Sequence, residues 1–76
     1  MTRDLKWAAK TMMELAKIPV QPNLLNAFIN PNGNDQWIKQ VIKAASPVVG
    51  DTNAALFDQA LTILTENGID TKLYGN

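Results

Sequence analysis

The chain lacks cysteine and histidine, and it has one serine, one arginine and one tyrosine among 76 residues. Without cysteine there is neither disulfide support nor thiolate chemistry. A serine or cysteine nucleophile activated by histidine cannot be assembled from this inventory. Zinc, copper and iron sites normally draw on cysteine and histidine, so we expect no metal and no cofactor. Of the seven carboxylates, Asp58 and Glu66 are interpreted as a solvated acidic face, and we expect no enzyme.

Long apolar runs and an excess of one charge are also missing. No stretch approaches the roughly 20 apolar residues that a membrane span needs. Residues 1–17 contain no uninterrupted apolar segment of the kind found in a cleaved signal peptide. The formal net charge is zero, so no global field attracts polyanions. We expect no membrane partner and a cytoplasmic location.

The residues that are present predict helices. Hydrophobic residues are 46% of the chain and charged residues 18%, which is typical of a folded globule rather than a disordered tail. The first helical pattern runs from Thr2, a suitable N-cap, to about Lys17, with Asp4 in its first turn and Pro19 as its stop. Its apolar stripe spans roughly 160°. The stripe contains Leu5, Ala8, Ala9, Met12, Met13, Leu15 and Ala16.

A second, shorter helix is predicted to open at Pro22, because proline suits the first helical position. Its apolar residues are Leu24, Leu25, Phe28 and Ile29. The polar stretch 30–34 ends it. An Asn-Gly pair can form a hairpin turn between alternating apolar strands, but the flanks of Asn32-Gly33 are polar, so we interpret this stretch as a loop.

A third helix is predicted to start near Asn34 or Asp35, either of which can cap it, and to end at Ser46. Its apolar arc of roughly 160° contains Trp37, which we interpret as a core residue. The other members of the arc are Ile38, Val41, Ile42, Ala44 and Ala45. Residues 48–50 form a short apolar bridge that we expect to be buried under the next helix.

The fourth helix has the clearest pattern, with Asp51 or Thr52 as its cap. Its apolar half contains Leu56, Phe57, Ala60, Leu61, Ile63 and Leu64. Gly68 followed by Ile69 is typical of a left-handed C-terminal cap, in which the apolar residue folds back onto the last turn.

These elements predict an all-α fold, a compact small bundle of about four helices, one of them short, with a C-terminal tail. We expect a single domain over residues 1–69 and a tail over residues 70–76. There are two alternatives for this tail: Leu73 and Tyr74 dock it on the body, or it is frayed.

The polar side of the first helix carries the candidate partner-binding surface. Arg3, Lys6, Lys10 and Lys17 project within an arc of roughly 60°, and Trp7 lies beside them. We call these five residues the basic face. A tryptophan beside cations fits an anchor in a protein interface, and it also fits a platform on which a nucleic-acid base stacks. The plain structural alternative is that Trp7 completes a thin core while the lysines are solvated.

A nucleic-acid interface is the main alternative, using either the basic face or the outer side of the third helix. That side presents Gln36, Lys39, Gln40 and Lys43, which are suitable contacts to bases and phosphates. The fourth helix has an acidic outer side, with Asp58 and Glu66 and no basic residue, so it cannot be a recognition helix.

Charge is divided between the two halves of the chain. Residues 1–43 hold six basic and three acidic side chains, and residues 44–76 hold one basic and four acidic. This division indicates adjacent first and fourth helices, self-association of copies, or incidental charge on solvated faces. We expect a small non-catalytic module that binds a protein partner as an inhibitor, adaptor or regulator. The alternatives are a nucleic-acid-binding regulator and a structural subunit of a homo-oligomer.

Overall fold

A computed structural model describes residues 4–30, 32–48 and 52–72 and confirms the all-α bundle. These ranges contain four α-helices, which are α1 (Leu5–Leu15), α2 (Pro22–Ile29), α3 (Asp35–Ala45) and α4 (Ala54–Glu66). A single 3₁₀ turn, Ser46–Val48, follows α3. None of the helices in the described ranges has the length and apolar character needed to cross a membrane.

The start of α1 lies later than the sequence indicated. Asp4 is the N-cap rather than a first-turn residue, and its Oδ1 accepts the backbone N–H of Trp7 at 2.9 Å. This bond satisfies one of the amide donors that a helix N-terminus leaves unpaired. The predicted cap, Thr2, lies outside the described residues.

The end of α1 is a Schellman cap built without glycine. Lys17 occupies the left-handed region with φ of 62°. Its N–H bonds to the Glu14 carbonyl at 3.0 Å, and the N–H of Ile18 bonds to the Met13 carbonyl at 2.9 Å. Ile18 packs against the core, so the chain reverses here and α1 stops at Leu15 rather than near Lys17.

The second helix begins and ends as predicted. Pro22 is at its first position, and Asn30 closes it with its Nδ2 donating to Asn26 Oδ1 at 2.9 Å. Gly33 has φ of 80° in the exposed loop that follows, a conformation suited to glycine.

The caps of α3 and α4 are only partly as predicted. Asn34 is at the N-cap position of α3, but its side chain makes no capping hydrogen bond. The N-cap position of α4 is Asn53, so the prediction of Asp51 or Thr52 was wrong by at least one residue. Val49, Gly50 and Asp51 lie outside the described residues, as does the side chain of Val48. The predicted burial of the apolar bridge 48–50 therefore stays a prediction.

The glycine cap of α4 is confirmed. Gly68 has φ of 82° and donates its N–H to the Thr65 carbonyl at 3.0 Å. The N–H of Ile69 bonds to the Leu64 carbonyl at 3.0 Å, and the Ile69 side chain is buried. These two bonds have the same arrangement as those at the end of α1.

The core forms around α1, against which α2, α3 and α4 all pack, and its largest interface is with α4. Ala8 and Ala9 are fully buried, and their small side chains let neighbouring helices approach closely. The other buried hydrophobic residues are Met12, Met13, Phe28, Ile38, Val41, Ile42, Ala45, Phe57, Ala60, Leu64 and Ile69. Because α1 is covered on three sides, its buried arc extends beyond the predicted stripe to Thr11.

The remaining predicted core positions lie at the edge of the bundle. Ala44 is exposed, and Trp37 is half-buried rather than fully enclosed. The Trp37 ring packs edge-on against Phe28, with centroids 5.7 Å apart and planes at 74°, which joins α3 to α2. Trp37 therefore contributes to the core from its rim.

Candidate functional site

The basic face lies on the side of α1 that points away from the core. Lys6 and Lys10 are exposed and one helical turn apart, and Lys17 is exposed just beyond the helix end. Arg3 lies outside the described residues. In the described part of the chain, these three lysines form no ion pair. Their positive charge is therefore exposed to solvent along this side of the helix, with Asp4 and Glu14 as its acidic neighbours in the sequence.

Trp7 lies between the two predicted alternatives, an exposed interface residue and a residue that completes the core. Its side chain is half-buried and packs against the core cluster, so some of its surface remains exposed beside Lys6 and Lys10. Its backbone N–H is held by the carboxylate of Asp4. The tryptophan is thus fixed at its base by packing and by the N-cap, which lowers the conformational entropy that a partner would have to remove.

Charges at the ends of this helix both favour and oppose its dipole: Asp4 at the N-cap and Lys17 just beyond the C-cap favour it, whereas two charges inside the helix oppose it. Lys6 is in the first turn, where no acidic residue is present, and Glu14 is in the last turn, where no basic residue is present. Anions are favoured at a helix N-terminus and cations at a C-terminus, so both positions oppose the macrodipole. Lys6 and Lys10 also form a like-charged pair at a spacing of four, which is destabilising.

The outer side of α3 is partly occupied by the start of the tail. Lys39 Nζ lies 3.1 Å from Asp70 Oδ2, and the Lys39 side chain is only 18% exposed. Gln36, Gln40 and Lys43 are exposed. The ion pair neutralises one of the two cations on the α3 surface that the nucleic-acid alternative uses.

Asp70 anchors the first residues of the tail to the body. A backbone hydrogen bond from the Lys72 N–H, at 3.1 Å, and the Lys39 ammonium both lower the pKa of the Asp70 carboxyl below its ordinary value. The Thr71 hydroxyl also lies 3.1 Å from that of Thr65 on α4. Residues 70–72 are therefore attached to α3 and α4, whereas Leu73 and Tyr74 lie outside the described residues.

Two shallow concave surfaces were not predicted from the sequence. One lies on α4 and is lined by Asp58, Gln59, Thr62 and Ile63. The other lies where α1 ends, and its lining residues are Glu14, Leu15, Ala16, Lys17, Ala44, Pro47 and Asn53. The second joins three distant stretches of chain, so no local sequence signal could have indicated it.

The acidic half of the chain pairs with the basic half through Lys39 and Asp70, but not at the described residues of the interface of α1 with α4. Helices α1 and α4 are adjacent, as one reading of the charge division predicted. Asp58 and Glu66 are exposed on α4, but among the residues that the structure describes neither forms an ion pair with a lysine of the basic face. Within the same ranges, no group of three or more carboxylates is placed to hold a metal ion.

The geometry defines the chain as a small all-helical domain with one cationic, aromatic-bearing helix face. No family model matches it, and no similar curated protein or solved structure was found.

Proposed function

We propose that this domain is a non-catalytic protein-binding module of the cytoplasm, which regulates, inhibits or adapts a larger protein by docking the basic face of α1 on an acidic surface. Trp7 is the anchor in this proposal, because tryptophan is enriched among the few residues that dominate the binding energy of interfaces. Lys6 and Lys10 form the charged rim, which guides association and selects the partner.

The placement of Lys6 in the first turn and Glu14 in the last turn of α1 is the observation that carries the proposal. A helix selected for stability alone would place an acidic residue near position 6 and a basic residue near position 14. This helix has the opposite charge at both positions, although it is the central helix of the fold and although Asp4 and Lys17 just outside them are favourably placed. Local rules of stability are most often broken where a surface serves another purpose.

The same face favours a protein over a nucleic acid as its partner. Glu14 and Asp4 are exposed on either side of the lysines, where they would repel a continuous phosphate backbone. On α3, Lys39 is already paired with Asp70. An acidic protein surface presents discrete carboxylates, which fit opposite the lysines without lying opposite Glu14 and Asp4.

The test is a capture experiment with matched charge reversals. Tagged wild-type protein, Lys10→Glu and Lys43→Glu are used to recover proteins from a nuclease-treated lysate of the source cells, and recovered proteins are quantified by mass spectrometry. Both lysines are exposed and both substitutions change the net charge equally. We expect one protein to be recovered with wild type and with Lys43→Glu, and roughly fivefold less of it with Lys10→Glu. Circular dichroism of each variant checks that the helices are intact.

Three results would oppose the proposal. Equal recovery with all three proteins would remove the basic face from consideration. Recovery that requires intact nucleic acid and falls steeply with salt would favour the nucleic-acid alternative. Recovery of only further copies of this chain would favour a homo-oligomer, which measured mass as a function of concentration would verify.

A further inference from the structure

The chain contains two Asn-Gly pairs, and the fold places them in different surroundings. Asn32-Gly33 is exposed in the loop between α2 and α3, and Asn67-Gly68 forms the C-cap of α4. The glycine in such a pair has no side chain to obstruct the approach of its backbone nitrogen to the neighbouring amide carbon. Asparagine followed by glycine is therefore chemically predisposed to intramolecular attack.

We propose that Asn32 is a site of spontaneous deamidation in the folded protein, and that Asn67 is protected. The backbone nitrogen of Gly33, after losing its proton to hydroxide, bonds to Asn32 Cγ. The bond from Cγ to Nδ2 breaks, and that nitrogen takes up a proton from water and leaves as ammonia. One water then hydrolyses the cyclic imide at either carbonyl, which gives an aspartyl or an isoaspartyl residue. Water is the only co-reactant, and nothing is oxidised or reduced.

The loop leaves the reacting groups of the first pair accessible. Within the described residues, neither the Gly33 N–H nor the Asn32 side-chain amide takes part in a hydrogen bond. The Asn32 carbonyl accepts only a long bond from Asn34 Nδ2 at 3.5 Å. Apart from Gly33 and its two chain neighbours, no described residue has an atom within 4 Å of the position that a Gly33 Cβ would occupy. The segment can therefore reach the ring-closing conformation without breaking packed structure.

The C-cap of α4 engages both reacting groups of the second pair. Asn67 Nδ2 donates to the Ile63 carbonyl at 2.8 Å. The Gly68 N–H, which would supply the attacking nitrogen, donates to the Thr65 carbonyl at 3.0 Å. The buried Ile69 side chain follows directly and holds this turn in place. Attack at Asn67 requires that the cap open first.

The modification would alter the loop that precedes α3. A carboxylate at position 32 changes the formal net charge of the chain from zero to minus one. An isoaspartyl product also adds a methylene to the main chain, three residues before α3 begins at Asp35. Both products thus differ from the parent in charge, and one differs in backbone length.

The test compares the two pairs in one molecule. Full-length folded protein is incubated at mildly alkaline pH, and peptides containing Asn32 or Asn67 are followed by mass spectrometry for the gain of one mass unit. Isoaspartate is verified by enzymatic methylation. We expect Asn32 to react about tenfold faster or more, since Asn67 must first lose two hydrogen bonds. In concentrated urea the two rates should converge, and Asn32→Gln should abolish the faster reaction.

Two outcomes would overturn the proposal. One is equal reaction of both pairs in the folded protein. The other is an Asn32 that is stable when folded and reacts only in urea, which would mean that the loop protects it as the cap protects Asn67.

Discussion

The charge order of α1 can be reversed without changing composition or net charge. In the double variant Lys6→Glu/Glu14→Lys, an acidic residue enters the first turn and a basic residue enters the last. Both parent side chains are exposed, so the exchange disturbs no packing. The change in stability therefore reports the charge order alone.

The magnitude follows from the helix dipole and from neighbouring pairs. A favourable charge at a helix end contributes about 0.3–1 kcal/mol at low ionic strength. The pair terms nearly cancel, because the repulsive Lys6–Lys10 pair becomes attractive while the attractive Lys10–Glu14 pair becomes repulsive. The two ends together should raise the free energy of unfolding by about 1 kcal/mol. For a domain of this size, that shifts Tm upward by about 4–8 °C.

Thermal unfolding followed by circular dichroism measures this effect at low and at high salt. We expect the gain in Tm to shrink as salt rises, because exposed charges are screened. The same variant should lose the captured partner despite its greater stability. An unchanged or lower Tm at low salt would refute the dipole reasoning, and retained binding would refute the link between charge order and function.

Two further predictions concern the caps and the tail. Lys17→Gly should stabilise the fold by about 0.5–1 kcal/mol. The substitution relieves the strain of a left-handed lysine at the end of α1, and this gain exceeds the cost of the extra unfolded-state entropy that glycine brings. Gly68→Ala, the corresponding change in α4, should destabilise it, and urea unfolding of both variants checks the opposite signs. Asp70→Asn should remove stability that wild type holds at neutral pH. The folded pKa of Asp70 is lowered, so this contribution is present above its ordinary value of 3.8 and lost as pH falls through the lowered pKa. Melting curves of both proteins should converge in that acidic range, and a constant difference at every pH would contradict the assignment.

The helices were predictable because their apolar periodicity is strong and because proline and glycine mark several of their limits. Pro22 and the Gly68-Ile69 pair gave correct ends for α2 and α4. The end of α1 was placed too late, since no glycine marks it. There the backbone reversal depends on Ile18 packing back onto the core, and a lysine tolerates the left-handed conformation.

The candidate site was predictable only in outline. Helical periodicity placed Lys6 and Lys10 on the exposed side, as the structure confirms. The half-burial of Trp7 depends on packing against the core, which periodicity alone does not specify. The pairing of Lys39 with Asp70 joins residues far apart in the chain, so it leaves no local trace in the sequence.

Helix α1 carries the proposed binding surface and is also central to the fold, so partner binding is coupled to the stability of the whole protein. This helix has 11 residues, too few to persist alone in water, and every other helix packs on it. A partner that binds only the folded form would therefore suppress global unfolding by mass action, by about 2.7 kcal/mol at a hundredfold excess over Kd. Cellular proteases act on the unfolded fraction, so the abundance of this protein should follow that of its partner.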